Sequence, residues 1–159
     1  MKAYQRALAG AGAGACATVA LTGLRGSWKR VGLVFDTAPQ QVVTRLGELG
    51  LIDDWPPGAR RALSWAAHFA YGGGTGVAFG LLRRSTANAA PEAAIGSALG
   101  VMAWGVGWSS WLPLAGVHQA PWSQDTPKVL LPVLDHAAFG AAWGLAYRAL
   151  SRRHEGDGG

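Results

Sequence analysis

Long runs without a charged side chain dominate the pattern of polar and apolar positions. Three runs contain no Asp, Glu, Lys or Arg, and a fourth is broken only by Asp135; they cover residues 7–24, 62–82, 93–124 and 129–147. About 20 residues of α-helix cross the hydrocarbon core of a bilayer. We therefore predict an all-α, polytopic membrane protein. Its four transmembrane helices are expected at residues 7–24, 62–82, 93–112 and 128–149.

The connection between the first two runs carries one further helical pattern. After Pro39, apolar side chains recur on one helical face, at Val42, Val43, Leu46 and Leu49. A short helix with such a stripe typically lies in the headgroup region of a bilayer. We predict an interfacial helix over about residues 39–51. Residues 1–150 then form one membrane-embedded domain, and the polar residues 151–159 are expected to form a disordered tail.

Two of the four runs contain the same pattern at a constant offset of 68 residues. Over residues 68–84, seven of 17 positions are identical at that offset, beginning with His68 and His136. Such self-similarity is typical of an internal repeat. Two repeats of two helices each return the chain to its starting side, so we predict two parallel halves with the two histidines at matching depth.

Small residues recur at every fourth position within the four runs. A helical stripe of this kind lets another helix approach closely in a membrane. The sequence therefore predicts helix-packing surfaces, and through them either self-association or contact with another membrane protein. The glycines that form the stripes are Gly10, Gly14, Gly72, Gly76, Gly96, Gly100, Gly140 and Gly144.

Charge and aromatic residues agree with a membrane protein. Charged residues make up 14% of the chain, against about 25% in a typical soluble domain. The net charge of +5 comes from basic residues placed where the uncharged runs end, as in the flanks of membrane spans, so we predict a lipid bilayer and no nucleic acid as partner. The density of Lys and Arg favours both termini in the cytoplasm. Expected interfacial anchors are Trp28, Trp55, Trp108, Trp111 and Trp122.

Four ionisable side chains are expected near one end of the bundle, namely His68, His118, Asp135 and His136. Ionisable groups inside a membrane are functional candidates, and imidazole with carboxylate suits either a metal ion or proton transfer. The alternative is that each histidine donates a hydrogen bond to a neighbouring backbone group or serine, or faces an interfacial water. Adjacent residues on a helix point about 100° apart, so the partner of Asp135 is expected on another helix, for example His68, Ser109 or Ser110.

The order of these features resembles a known family. The first loop contains Val43 and Arg45, residues 111–118 read Trp-Leu-Pro-Leu-Ala-Gly-Val-His, and the last helix carries Asp135 and His136 followed by Phe139 and Gly140. This order is similar to that of the YagU-like family of small bacterial inner-membrane proteins, a family of unknown function. The resemblance implies a multi-pass inner-membrane protein with cytoplasmic ends, and it implies no activity.

The sequence carries no convincing nucleophile arrangement, phosphate-binding loop or dinucleotide fingerprint. We therefore expect a protein without catalytic activity or cofactor, acting as a structural or accessory membrane component. The alternative is a minimal transporter or channel for protons, a metal ion or a small solute, using Asp135 with His68 and His136.

Overall fold

The computed structural model describes residues 1–32, 36–83 and 89–156. These residues form helices and turns without a strand, which confirms the predicted all-α class. The helices are α1 (Ala3–Arg30), α2 (Ala38–Glu48), α3 (Pro57–Leu82), α4 (Ala89–Val106), a π-helix (Gly107–Trp111), α5 (Leu112–Leu114), a 3-10 turn (Pro121–Ser123) and α6 (Thr126–Gly156).

The helix in the first loop has its ends set by local chemistry. Thr37 caps the N-terminus of α2 in a reciprocal hydrogen-bonding arrangement with Gln40, and Pro39 occupies the first turn, where its missing N–H costs nothing. After the last turn, Gly50 adopts a φ of +73°, which only glycine adopts without strain. The helix predicted over 39–51 is therefore present, with its end at Glu48.

The helix in the third uncharged run does not end at residue 112 as predicted, although Pro113 follows there. Helical conformation continues from α4 through the π-helix and α5 to Leu114. Proline lacks an N–H and its ring clashes with the carbonyl four residues earlier, and the wider π turn directly before Pro113 accommodates that defect. The chain leaves the helix at Gly116, whose φ is +70°.

The last helix is longer than predicted. α6 extends to Gly156, so residues 151–156 of the expected disordered tail are helical, and residues 157–159 lie outside the described part. Ser151 is fully buried against the rest of the bundle. Arg152 and Arg153 add positive charge to the last turns, which stabilises a helix C-terminus.

The long helices pack as two antiparallel pairs with almost no space between backbones. In the first pair, a Cβ added at Gly10 or Gly14 of α1 would overlap the carbonyl oxygen of Gly76 or Gly72 of α3. In the second pair, a Cβ at Gly96 of α4 would overlap the carbonyl oxygen of Gly140 of α6. The same holds for Gly100 against the carbonyl oxygen of His136, and for Gly144 against that of Glu92. All eight glycines of the predicted stripes therefore lie in these two crossings.

The two pairs meet through α1 and α6, which are antiparallel neighbours. Alanines on a second small face of α1 enter the same buried cluster as aromatic side chains of α3 and α6. Within it the rings of Phe79 and Trp143 have centroids 4.6 Å apart, and Tyr147 contacts Phe79 edge-on at 5.1 Å. The helices thus follow each other in space as α3, α1, α6 and α4, while α2 packs on α3.

Two of these helices are long and apolar enough to cross a membrane. They are Ala3–Arg30 and the segment Lys128–Arg153 of α6. By the same length and composition test, no other helix in the described ranges qualifies. By length and composition, α1 and α6 could therefore cross a membrane, and four spans stay a prediction.

Candidate functional site

A cavity lies at one end of the bundle, where α1 ends and α3 and α6 begin; we name this the loop end. The cavity, named here the inner cavity, has a volume of about 200 Å³ and is lined by residues of α1, α2, α3, α4, the π-helix and α6. His68 and His136 both line it, together with Arg25. The two histidines of the predicted cluster are therefore brought to one space. Aromatic rings form much of the remaining wall, at Tyr71, Trp104, Trp108, Trp111 and Phe139.

Asp135 is fully buried and bound to α1 rather than to the predicted partners. Its carboxylate accepts a hydrogen bond from Arg25 Nε at 2.8 Å and one from Trp28 Nε1 at 3.1 Å. The prediction of a partner on another helix is confirmed, but the choice of His68, Ser109 or Ser110 was wrong. The physical reason is charge: a carboxylate without water is stabilised most by a cation that also donates a hydrogen bond. Asp135 lines neither cavity at the loop end.

His68 is held by a short chain of hydrogen bonds on α1. The Thr22 hydroxyl donates to the carbonyl oxygen of Thr18 at 2.8 Å, and Thr22 Oγ1 lies 3.3 Å from His68 Nε2. A hydroxyl has one proton to donate, so the hydrogen between Thr22 and His68 belongs to Nε2. In neutral His68 the lone pair is then on Nδ1, which has no hydrogen-bonding partner among the described residues.

His136 is held within its own helix. His136 Nδ1 lies 2.8 Å from the carbonyl oxygen of Pro132. A carbonyl can only accept, so Nδ1 carries the hydrogen, and the lone pair of the neutral ring is on Nε2. Each of the two histidines therefore has one nitrogen fixed as a donor and the other left as an acceptor.

His118 lies apart from the other members of the predicted cluster. Its ring packs on Trp108 with centroids 4.1 Å apart, and its Nδ1 lies 2.6 Å from the carbonyl oxygen of Gln119. His118 lines neither cavity. Across the described ranges, no group of three or more His, Cys, Asp or Glu side chains is arranged to hold a metal ion.

The tryptophans predicted as interfacial anchors divide into two groups. Trp55, Trp111 and Trp122 are exposed. Trp108 is buried with 7% of its surface exposed, because its ring is covered by His118, and Trp28 is bound to Asp135. These two tryptophans hold the loop end together instead of anchoring it to an interface.

A second cavity of about 540 Å³ adjoins the inner cavity and is named here the outer cavity. Arg25, Thr37, Pro39 and His68 line both spaces. The outer cavity is bounded by α1, α2 and the start of α3. Its charged lining consists of Arg25, Lys29, Glu48, Arg60 and Arg61. Arg25 is neutralised by Asp135, so the net positive charge of this space comes from Lys29, Arg60 and Arg61 against Glu48.

The opposite end of the bundle is closed by a second buried ion pair. Arg83, at the end of α3, donates two hydrogen bonds to the fully buried carboxylate of Glu92, at 3.1 and 3.2 Å. The Tyr147 hydroxyl of α6 donates to the carbonyl oxygen of Arg83 at 2.8 Å. α3, α4 and α6 are thereby tied together at the end that carries the chain termini.

Three residues of these ion pairs were missed by sequence reasoning. Arg25, Arg83 and Glu92 each stand at the edge of an uncharged run; the two arginines were interpreted as flanking charges, and Glu92 was given no role. A usable signal exists for Arg25: the one acid inside the last run requires a cation, and in an antiparallel pair the end of α1 lies at the depth of Asp135.

No protein-family model, curated protein or solved structure matches this chain. The resemblance to the YagU-like family therefore stays a prediction.

Proposed function

We propose that this chain is a small integral membrane protein with four spans, formed by two similar helix pairs, that binds a small solute in the inner cavity without catalysing a reaction. Such an activity suits an accessory component of the membrane. The single observation that carries the proposal is the placement of His68, His136 and Arg25 around one cavity lined by residues of all four long helices.

Surface composition supports the four spans. α3 and α4 expose large apolar side chains as α1 and α6 do, including Trp65 and Phe69 of α3 and Met102 and Val106 of α4. Contiguous apolar surface on a monomer marks contact with a membrane or a partner. The glycine crossings support the repeat, because Gly72 and Gly140, 68 residues apart, occupy equivalent places in the two pairs.

Several polar atoms at the site have no hydrogen-bonding partner among the described residues, and this favours ligand binding over a purely structural role. Nδ1 of His68, Nε2 of His136 and the terminal nitrogens of Arg25 have no hydrogen-bonding partner among the described residues. Small-molecule sites combine mostly apolar walls with a few such polar groups. The cavity volume of about 200 Å³ lies below the roughly 300–1,000 Å³ of pockets for drug-sized ligands, so the solute is small.

A cavity-filling substitution tests this proposal. Ala103 lines the inner cavity, whereas Ala98 lies exposed on the same helix. We expect calorimetry on the detergent-solubilised protein to show saturable binding of at least one of benzyl alcohol, benzoate and benzylammonium. Ala103→Leu should abolish this binding and Ala98→Leu should preserve it. Equal binding by both variants, or no binding by the unsubstituted protein, would refute a solute site in this cavity.

A carrier is the second candidate, and it is favoured by the two ion pairs at opposite ends. Arg25 with Asp135 and Arg83 with Glu92 each join helices of different pairs, so opening one end and closing the other requires only that one pair breaks while the other holds. In this hypothesis His68 and His136 contact the solute and Asp135 controls access. A counterflow assay in proteoliposomes tests this hypothesis with the solute that binds. Vesicles that contain a carrier and are loaded with unlabelled solute take up labelled solute, whereas vesicles that contain a binding protein without transport activity do not.

A further inference from the structure

We infer that the ligand of the inner cavity is a small organic anion, a carboxylate carried on an aromatic or other flat apolar body, and that it enters through the outer cavity. This inference rests on the proposed solute site and specifies its chemical class. The juxtaposition that carries it is a positively charged outer cavity that opens onto an aromatic inner cavity, with Arg25 and His68 shared by both.

The sign of the charge follows from which side chains line the two spaces. Arg25 is the formally charged residue of the inner-cavity lining, and the outer cavity adds Lys29, Arg60 and Arg61 against Glu48. Asp135 is fully buried and lines neither space, but its carboxylate neutralises Arg25, so the net positive charge comes from Lys29, Arg60 and Arg61. A cavity lined by one sign of charge and bounded by apolar walls concentrates ions of the opposite sign. Anions are therefore attracted and cations repelled.

The Arg25 guanidinium retains N–H donors that can bind a carboxylate. Its Nε is used by Asp135, and its two terminal nitrogens have no partner among the described residues. Planar guanidinium groups bind carboxylates through paired N–H donors. Asp135 and Trp28 fix the position of this guanidinium, so little side-chain freedom is lost when a ligand binds.

The two imidazoles and the aromatic wall define the rest of the ligand. Nδ1 of His68 and Nε2 of His136 accept a hydrogen bond when the rings are neutral and donate one when a ring takes a proton, so either a hydroxyl group or the second carboxylate oxygen can be bound. The rings of Trp104, Trp108 and Phe139 supply flat apolar surface, against which a planar body packs. Inorganic anions lack such a body and leave that surface unused.

Four probes separate the contribution of charge from that of the aromatic body. Benzoate carries both features, benzyl alcohol retains the ring without charge, benzylammonium reverses the charge, and acetate retains the carboxylate without the ring. We expect calorimetry on the full-length protein in detergent to show benzoate bound at least tenfold more tightly than the other three. Benzyl alcohol or benzylammonium binding as tightly as benzoate overturns the charge assignment, and acetate binding as tightly overturns the aromatic body.

Two double variants test whether Arg25 binds the carboxylate. The double substitution Arg25→Gln with Asp135→Asn removes the guanidinium without leaving an unpaired buried charge, and we expect it to weaken benzoate binding at least tenfold. The matched control, Arg83→Gln with Glu92→Gln, removes the ion pair at the opposite end and should change the dissociation constant less than twofold. Equal loss in both variants overturns the inference.

A second pair of variants does not depend on the buried ion pair. Lys29 and Arg61 are exposed, so Lys29→Gln with Arg61→Gln should leave the fold intact. We expect about threefold slower benzoate association at low salt, with unchanged dissociation, because these residues only steer the anion. Unchanged association overturns the proposed route of entry. If benzyl alcohol binds, Ala103→Leu abolishes its binding and benzoate does not bind, the ligand class is wrong but the solute site stands. If no probe binds, the proposed solute site and the proposed ligand class both fail.

Discussion

At the scale of single residues, the buried carboxylate of Asp135 determines how the loop end is built. It is fully buried, and its cation partner Arg25 is 10% exposed. Removing a charge from water costs several kcal/mol, and an ion pair offsets this only when its hydrogen bonds are well formed. Arg25 and Trp28 satisfy one carboxylate oxygen each. Asp135 is therefore a positioning residue that joins α1 to α6 and orients the guanidinium at the cavity wall.

Asp135→Asn should lower the free energy of unfolding by about 3 kcal/mol, because it leaves Arg25 buried without its counter-charge. Thermal or SDS-induced unfolding of the detergent-solubilised protein measures this. Adding Arg25→Gln to Asp135→Asn should restore part of the loss, since no unpaired charge then remains. Additive losses in the double variant would contradict a direct interaction between the two side chains.

Asp125 provides the matched control for this prediction. It pairs with Lys128 at 2.7 Å on the surface, with both side chains largely exposed. The hydrogen bond and charge of Lys128 hold the pKa of Asp125 below its ordinary value of 3.8. The pair therefore stabilises the fold slightly above that pH, and this contribution is lost as the pH falls through the lowered pKa. Asp125→Asn should change the melting temperature much less than Asp135→Asn, and equal shifts would contradict the buried role.

At the scale of elements, the crossings of α1 with α3 and of α4 with α6 depend on glycines at specific positions rather than on glycine content. α3 shows the difference within three residues. A Cβ at Gly76 would overlap the carbonyl oxygen of Gly10, whereas a Cβ at Gly74 would meet nothing within 4 Å. Both positions are glycines of the same helix at nearly the same depth, and they differ only in the atoms that lie opposite them.

Gly76→Ala and Gly74→Ala should therefore change stability in opposite directions. Gly76→Ala forces α1 and α3 apart and should destabilise by about 1–3 kcal/mol. Gly74→Ala removes the flexibility of glycine from a helix interior and should be neutral or stabilise by roughly 0.5–1 kcal/mol. SDS-induced unfolding measures both. In the second pair, Gly96→Ala should behave like Gly76→Ala, and Gly105→Ala, which also meets nothing within 4 Å, like Gly74→Ala.

At the scale of the whole molecule, the number of membrane spans decides on which side of the membrane α4 begins. With four spans, the start of α4 lies on the side of both termini, and residues of the loop end lie on the other side. With α1 and α6 as the only spans, the start of α4 lies on the side of the loop end. A single residue near the start of α4 therefore distinguishes the two topologies.

Cysteine labelling measures this placement, because Cys16 is the only native cysteine and can be removed by Cys16→Ala. In that background we expect Asp53→Cys and Ser123→Cys to react with a membrane-impermeant maleimide in intact cells. Ala90→Cys, Lys2→Cys and Arg153→Cys should react only after the membrane is permeabilised. Reaction of Ala90→Cys together with Asp53→Cys would leave two spans. The opposite labelling of all five sites would keep the spans and reverse the orientation.

Local pattern was sufficient to predict the helices and the surfaces by which they pair. These predictions used only properties of neighbouring residues, which do not depend on the fold. The properties were the uncharged runs, the apolar stripe after Pro39 and the four-residue spacing of small residues, as in Gly10 with Gly14 and Gly72 with Gly76. Helix ends were predicted less well. Pro113 fits within a helix once a π turn precedes it, and the end of α6 is ordered by contacts that bury Ser151.

The partners of the ionisable groups were decided only by the tertiary structure. Asp135 is 110 residues from Arg25, and His68 is 46 residues from Thr22, so no local spacing connects them. Which cation meets a buried carboxylate depends on how α1 is rotated against α6, and that rotation is set by packing of Ala9, Ala13 and Ala17 among aromatic rings. The sequence by itself determined that the helices form and that small faces pair. The three-dimensional packing alone decided which charges neutralise each other and which polar atoms are left for a ligand.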